Sequence, residues 1–443
     1  MTKISADQFM VTYDDELGVV YIPRKGIVKT TTPNHAKAIE ACLTDYLNGN
    51  MSSQDKSDFE NYMEKDLKDI DDLPIVQCKT INERDVLRRL EIVIANDCNL
   101  RCKYCYAHGG NYDMKAQRMT PDVACKYLTS LLIGKYRYVK FITFFGGEPT
   151  LCPETIEAVC KFFDKNVKCG LLEKMPIFLM ISNGTLIDEN MANTIHKYGI
   201  NVTVSIDGPQ EINDLLRVDA AGNGTFFKVS KGIDNLKKVG SVPTLLEATY
   251  TSKHKEMGYT KEGIQDYLKN HFEVKNVTVA DCCSGGLEKN LEYTDWDTHI
   301  GNDGDFFSSD IRNTYNCLTS GVFETTGCDA GFGSCVLLPN GEIYPCHMFI
   351  NKPEYLMANY NESNYFDFSN YKNVTSQFDK IDKLKSDRCT DCWAKTVCLS
   401  CPAALLLEKS SKKLDAECYT RRILEKHMIL KCAKFSLAKK QLD

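Results

Sequence analysis

Residues 90–105 read LEIVIANDCNLRCKYC. The first half is a β-branched apolar run of strand length, stopped by Asn96-Asp97. The second half places Cys98, Cys102 and Cys105 on the loop that follows. Working outward, five more apolar runs alternate with helical stretches: KFITFFGG from 140, IFLMISNG from 177, NVTVSIDG from 201, LLEATYT from 245 and NVTVAD from 276. Alternation of strand and helix over about 88–281 implies βαβ units and a parallel sheet, open or curled into a partial barrel. Several runs end in polar or glycine-rich tails, the strand ends where such sheets place ligands.

Before this region, FMVTYDD, GVVYIPR and GIVKTTT read as three short strands hinged at Glu16-Leu17-Gly18, followed by helical periodicity through HAKAIEACLTDYL and residues 54–72. Residues 54–72 hold eight acids against three lysines. That is the pattern of a solvated helix face before a linker at Asp71-Asp72-Leu73-Pro74. After about residue 300 the regular pattern fades into glycine-, asparagine- and aspartate-rich chain around a dense cysteine set, closed by a last helix, AECYTRRILEKHMILKCAKFSLAKK. A segment of that kind is expected to fold around metal as much as around apolar side chains.

Composition narrows the function. A net charge of -6 argues against a nucleic-acid or anionic-membrane partner. The first fifteen residues lack the apolar core of a signal peptide, and no stretch reaches the roughly 18 apolar residues of a membrane span, so a cytoplasmic location is expected. In a reducing compartment 21 cysteines cannot serve as a disulfide framework, which leaves metal or cluster ligation.

Three soft thiolates on one tight loop suit three irons of a cubane and leave the fourth iron open. An open iron can chelate the amino and carboxylate groups of a methionine moiety, placing its sulfonium beside the cluster. The competing reading is a structural zinc loop that borrows a distant fourth ligand. The spacing Cys98-x3-Cys102-x2-Cys105 resembles the signature of the radical S-adenosylmethionine superfamily, and further matches follow in order. Gly146-Gly147-Glu148-Pro149 is similar to the family's GGEP element, whose backbone bonds the methionine amino group. Ser182-Asn183 falls in a segment resembling the ribose-contacting one, and Ser205-Ile206-Asp207-Gly208 resembles the next cofactor-facing turn. Arg217 stands where the family has an arginine for the methionine carboxylate, and Tyr104 where it has a bulky residue beside the adenine. Asn213-Asp214 departs from the family's usual histidine before the aspartate.

The C-terminal cysteines, Cys328, Cys335, Cys346, then Cys389-x2-Cys392-x5-Cys398-x2-Cys401, then Cys418, could on spacing alone form a zinc ribbon. Their order resembles the SPASM domain, although that family has three residues between the last two cysteines of the run. The resemblance implies an outer four-iron cluster on Cys389, Cys392, Cys398 and Cys418. It implies an inner cluster on Cys328, Cys346 and Cys401, with Cys335 as fourth ligand and Cys317 or a substrate thiolate as rivals. Eleven cysteines are used in this way and ten remain, among them Cys282-Cys283, which are expected to be small buried hydrophobes or part of the cavity.

Taken together, the resemblance implies an α/β fold: a partial (β/α)6 TIM-like barrel over 88–310, a small winged-helix-like β+α module over 1–80 and a SPASM domain over 311–443. It implies three [4Fe-4S] clusters, S-adenosyl-L-methionine, a reductant such as flavodoxin or ferredoxin, and a 5'-deoxyadenosyl radical that takes hydrogen from substrate. In sulfatase-maturing members YPC is followed by an aspartate base; here Tyr344-Pro345-Cys346 is followed by His347, either a packed histidine or a proton carrier. YPCHMF looks more like maturases that join cysteine sulfur to carbon in a ribosomally made precursor peptide. The N-terminal module resembles their leader-recognition domain, which adds the leader as a strand at a sheet edge. Anaerobic sulfatase-maturing-type dehydrogenation, carbon-carbon crosslinking, and a non-catalytic iron-sulfur electron carrier or zinc scaffold are the alternatives.

Overall fold

A computed structural model describes residues 8–68, 76–79, 86–136, 138–282, 289–293 and 309–442. The expected linker at Asp71-Asp72-Leu73-Pro74 and Cys283 lie outside these residues. In chain order the first elements are β1 (Met10–Tyr13), β2 (Gly18–Ile22), β3 (Ile27–Thr31), α1 (Pro33–Asn48), α2 (Ser53–Lys68) and β4 (Gln77–Lys79). Then follow β5 (Val86–Ala95), α3 (Pro121–Gly134), β6 (Tyr138–Gly146), α4 (Pro153–Lys168), β7 (Ile177–Ser182), α5 (Glu189–Tyr198) and β8 (Asn201–Ser205). After these come α6 (Gln210–Leu216), α7 (Phe226–Lys238), β9 (Leu245–Tyr250), α8 (Ser252–Glu256), α9 (Lys261–Phe272) and β10 (Val277–Asp281). The chain continues with α10 (Ser309–Ser320), β11 (Val322–Glu324), β12 (Ser334–Leu337), β13 (Glu342–Tyr344), β14 (Ala358–Tyr360) and β15 (Phe366–Asp367). It closes with α11 (Tyr371–Ser376), α12 (Asp387–Thr390), α13 (Pro402–Leu407) and α14 (Ser411–Leu442).

Two compact units share these elements: residues 1–81, 296–328 and 377–443 form one, and 82–295 with 329–376 the other. Along the sequence, boundaries were expected near 80–88 and 310. In space the last expected domain is divided, its 329–376 segment clustering with the six-strand region and the remainder with the N-terminal module.

In the first unit, β1, β2 and β3 form an antiparallel meander. Residues of β2 are buried along its whole length because both faces are covered. Val20 and Ile22 pack with Ala36, Ile39 and Leu43 of α1. Val19 and Tyr21 point the other way, onto Ile429 and Leu430 of α14, as a period of two requires. Thr32 caps α1 by accepting from the His35 amide, Pro33 opens the helix, and Gly49 closes it in the left-handed conformation.

In the second unit, β5 to β10 are parallel and neighbours in sequence order. Their crossovers are helical, as the alternating runs indicate. Phe144 stacks on Phe178 with ring centroids 5.8 Å apart, and Phe163 of α4 closes on Phe178 from the helix layer. Side chains one residue out of step, Glu91, Thr143 and Phe145, therefore lie on the opposite face of the sheet. Beyond β5 the sheet does not stop. β12 pairs with β5 in parallel, Ser334 opposite Arg89, and β13, β14 and β15 extend it antiparallel.

Candidate active site on the cysteine loop after β5

The cysteine loop leaves β5 at its C-terminal end and is stitched to the loop after β6 by backbone bonds: Gly147 N to Ala95 O, 2.8 Å, and Glu148 N to Asp97 O, 2.9 Å. A Cβ at Gly147 would lie 2.2 Å from the Asp97 carbonyl oxygen, so only glycine allows the two loops to approach this closely. Glu148, fully buried, ties the end of β6 to the end of β7. Its carboxylate accepts from Thr150 N at 3.0 Å, Ser182 Oγ at 2.8 Å and Asn183 N at 2.7 Å. Burial raises its pKa despite these donors. The side chain of Glu148 is thus a strut, and the pattern that suggested the GGEP element is also what locks the third strand's end against the second. Pro149, buried, opens the short turn that follows.

Around the sulfurs the donors converge. Leu100 N lies 3.3 Å and Asn183 Nδ2 3.7 Å from Cys98 Sγ, and Arg217 Nη1 lies 4.0 Å from Cys102 Sγ. Burial pushes the Cys98 thiol up to about 12 and the Cys102 thiol up to about 11. Thiols held there do not ionise at neutral pH on their own. A cationic metal center that binds thiolate supplies the missing stabilisation, and the oriented N–H donors suit anionic sulfur, so the residues present fit an iron-sulfur cluster.

Sequence reasoning gave Tyr104, Asp207 and Arg217 separate roles, and the structure joins them. Tyr104 Oη donates to Asp207 Oδ2 at 2.7 Å, Arg217 Nε is paired with Asp207 Oδ1 at 3.0 Å, and the guanidinium lies 5.5 Å from the Tyr104 ring center. Burial drives the Tyr104 phenol well above its ordinary value. Asp207 also accepts from Thr249 N, while its carbonyl takes the buried His254 Nε2 at 2.9 Å. Ser205, at the end of β8, is partly exposed and pairs in register with Glu247, a partly buried carboxylate on β9 whose pKa burial raises. At the departure, Asn213 Oδ1 accepts from Asp207 N at 3.3 Å, and Asp214 Oδ1 accepts from Thr225 N and Phe226 N at 2.7 Å each, starting α7.

At the C-terminal cysteines the arrangement is different. Cys389, Cys392, Cys398 and Cys418 line one pocket open to solvent, with Arg388, Lys395, Arg421 and Arg422 around it. Burial lifts Cys389 to about 11. Four thiols ringed by cations over that space fit a multi-iron cluster. Among the described residues no three His, Cys, Asp or Glu side chains are arranged to hold a single metal ion. Within the same unit, Gly327 approaches the Ser400 carbonyl so closely that a Cβ would sit 1.9 Å from it, which brings the chain before Cys328 to the chain before Cys401.

Cys335 and Cys346 belong to the second unit. Cys335 is buried in β12 on the Leu90 side of the sheet, and burial raises its thiol strongly. Cys346 and Cys105 both lie near Tyr106. Cys317, on α10, belongs to the first unit, and Cys282 is buried after β10 with its amide on Tyr250 O. Sequence reasoning singled out His347 but missed its partner Glu91: His347 Nδ1 lies 2.9 Å from Glu91 Oε2, and its ring is flanked by Phe145 at 5.0 Å and Tyr106 at 6.2 Å. Glu91 stands inside an apolar strand, and its charge amid LEIVIA is the signal that could have marked it. No helix of the described residues is long and apolar enough to cross a membrane.

Comparison with known proteins gives two family matches: the radical SAM superfamily over residues 92–279, and the SPASM iron-sulfur cluster-binding domain over 328–393. A cysteine-type anaerobic sulfatase-maturating enzyme of Clostridium perfringens is 26% identical over 283 residues, 58% of this chain and 73% of that protein. The solved structure of anSMEcpe with bound AdoMet aligns with a TM-score of 0.60 at 21% identity, over 78% of this chain and 95% of that one. Streptococcus suis SuiB bound to S-adenosylmethionine aligns at 0.51 and 16% identity, over 92% and 97%. Matched models, cysteine loop and parallel strands agree: the chain carries a radical S-adenosylmethionine domain over residues 92–279 and an iron-sulfur cluster-binding SPASM domain over 328–393.

Proposed function

We propose that the chain is a radical peptide maturase that joins a cysteine sulfur to a carbon of another residue in a ribosomally made precursor. Cys98, Cys102 and Cys105 would hold the cluster which, with S-adenosylmethionine, would supply the 5'-deoxyadenosyl chemistry that removes one hydrogen atom. In the net change, S–H and C–H bonds give way to one S–C bond. One hydrogen leaves as 5'-deoxyadenosine, and the thiol proton and one electron go to solvent and an iron-sulfur acceptor. The protein's part is to hold cofactor and peptide in reach and to exclude water. Cys389, Cys392, Cys398 and Cys418 would carry an outer cluster, and Cys328, Cys346 and Cys401 an inner one with Cys335, Cys317 or the substrate thiolate completing it, three clusters in all.

The observation that carries the reading is the residue after Cys346. A histidine fixed on Glu91 stands where the sulfatase-maturing pattern has an aspartate. The peptide partner is supported by the solved structure of anSMEcpe with bound AdoMet and Cp18Cys peptide, TM-score 0.59 at 20% identity. A leader would add as a strand to an edge of the N-terminal meander, β1 or β3, and tether the core peptide by effective concentration. The electron donor is a flavodoxin or ferredoxin.

The test is anaerobic reaction with a cysteine-containing precursor encoded beside this chain's gene. Thioether formation removes two hydrogens of mass and one free thiol per link. The same mass loss with an unchanged thiol count defeats it. A second reading, oxidation of a sulfatase cysteine, is favoured by the Clostridium novyi sulfatase-maturating relative, 26% identical across 85% of that protein. Conversion of a sulfatase peptide to an aldehyde product identifies it.

A further inference from the structure

Beside Cys98, three polar side chains close a ring of hydrogen bonds. Asn183 Nδ2 donates to Asn99 Oδ1 at 2.9 Å, Asn99 Nδ2 donates to Thr185 Oγ1 at 2.9 Å, and Thr185 Oγ1 donates back to Asn183 Oδ1 at 2.6 Å. Asn99 follows the first cysteine of the loop after β5, while Asn183 and Thr185 stand on the loop after β7. The ring therefore joins two strand ends at the cluster loop.

The direction of every bond in it follows from one backbone group. Thr185 N lies 3.0 Å from the Asn183 side chain and can only donate, so the amide end that faces it is Oδ1. Nδ2 of Asn183 then turns toward Asn99, which must answer with Oδ1 and present its own Nδ2 to the Thr185 hydroxyl. That hydroxyl accepts from Asn99 and keeps its proton for Asn183 Oδ1. Hydrogen bonds running head to tail polarise one another, which favours this single arrangement. Below the ring, Asn183 N donates to the buried Glu148 carboxylate at 2.7 Å and fixes the main chain.

One hydrogen of Asn183 Nδ2 is left over, and it is directed at Cys98 Sγ, 3.7 Å away. The side chain, 7% exposed, then has both hydrogens and both acceptor sites of its amide in use, although its segment resembles a ribose-contacting one. Leu100 N, at 3.3 Å, gives the same sulfur a backbone donor that no side-chain substitution removes. A donor on a cluster thiolate stabilises the reduced, more negative state more than the oxidised one, and so raises the reduction potential.

We infer that Asn183 raises the reduction potential of a cluster on Cys98, Cys102 and Cys105 through the Cys98 sulfur, and that Asn99 and Thr185 are positioning residues that hold its amide in the one orientation that does so. The step concerned is entry of one electron from the reductant, whatever peptide is then modified.

An electron paramagnetic resonance redox titration of the anaerobically reconstituted full chain tests this. The first cluster is the one whose signal S-adenosylmethionine alters. Asn183→Ala should lower its reduced-to-oxidised ratio at a fixed potential about tenfold, a downward midpoint shift of about 59 mV for one electron. Thr185→Val and Asn99→Ala, which leave the Asn183 amide present but unheld, should lower the ratio several-fold. Thr185→Ser, which keeps the hydroxyl, should hold the unmodified midpoint. The C-terminal clusters should keep theirs in every variant. An unchanged midpoint in Asn183→Ala overturns the tuning, and one in Thr185→Val or Asn99→Ala overturns the positioning role of that residue. Equal shifts in all clusters reveal a general loosening and overturn both claims. Should Asn183→Ala fail to take up its cluster, Thr185→Val decides, since it leaves the Leu100 donor and the Asn183 backbone bond to Glu148 in place. A reconstituted chain with no signal that responds to S-adenosylmethionine overturns the inference and the radical maturase reading together.

Discussion

The cysteine loop at 98–105 and the cysteine run at 389–418 have the same chemistry and opposite architectures. The first is braced before any metal arrives: Gly147 and Glu148 are bonded to Ala95 and Asp97, Tyr104 is anchored on Asp207, and Asn183 points an amide at Cys98. The second hangs four thiols around a pocket from a four-residue helix, α12, irregular turns and α14, with cations facing inward. One site is a preformed socket on the sheet, and the other gathers its thiols from short elements and one long helix. The difference teaches where the free energy of a bound cluster would go, into reactivity in one place and into folding in the other.

The sharpest way to break the comparison is to remove a ligand from the socket. Cys102→Ala should cut 5'-deoxyadenosine formation to background, about a thousandfold or more by chromatography, while circular dichroism stays native. An unfolded variant would show that the socket also needs its cluster. Second, stripping iron anaerobically should abolish hydrogen-exchange protection over residues 387–407 and leave β5 to β8 protected. Equal loss in both places erases the distinction.

Third, the C-terminal run is also braced by a buried carboxylate with a cost. Glu425 accepts from Arg421 Nε at 2.9 Å and Leu399 N at 3.3 Å, and burial raises its pKa to about 7. The folded state therefore binds a proton that the unfolded state has released, so stability falls as pH rises from about 4.5 to about 7. Denaturant titrations should show a loss of up to about 3 kcal/mol across that window, and Glu425→Gln should flatten it. Fourth, Gly147→Ala should cost about 1–3 kcal/mol and loosen the socket. Tyr104→Phe, the smallest, should cost about 1 kcal/mol through its lost bond to Asp207.

Legibility followed range along the chain. Strands β5 to β10 stand where apolar runs were read, because period and loop chemistry are local signals. The cysteines were legible because thiolate chemistry needs particular spacings. Asp207 was picked out as cofactor-facing, but its grip on Tyr104, 103 residues away, is written in no local pattern. Glu91 and His347 are 256 residues apart, and the division of 311–443 between two units depends on packing that no window of sequence contains. The place of β12 beside β5 is hidden for the same reason: a four-residue strand is too short to announce its partner.

That last pairing bears on how the protein is made. Arg89 finds Ser334 only after the chain between them has left the ribosome, which takes on the order of 10–50 seconds. During that interval the edge of LEIVIA, a segment with high β propensity and one charge, waits without its neighbour, while the cysteine loop that follows it is already synthesised. Arg88, Arg89 and Glu91, besides their places in the finished protein, are then the charges on that edge that discourage a nascent chain from pairing with its twin.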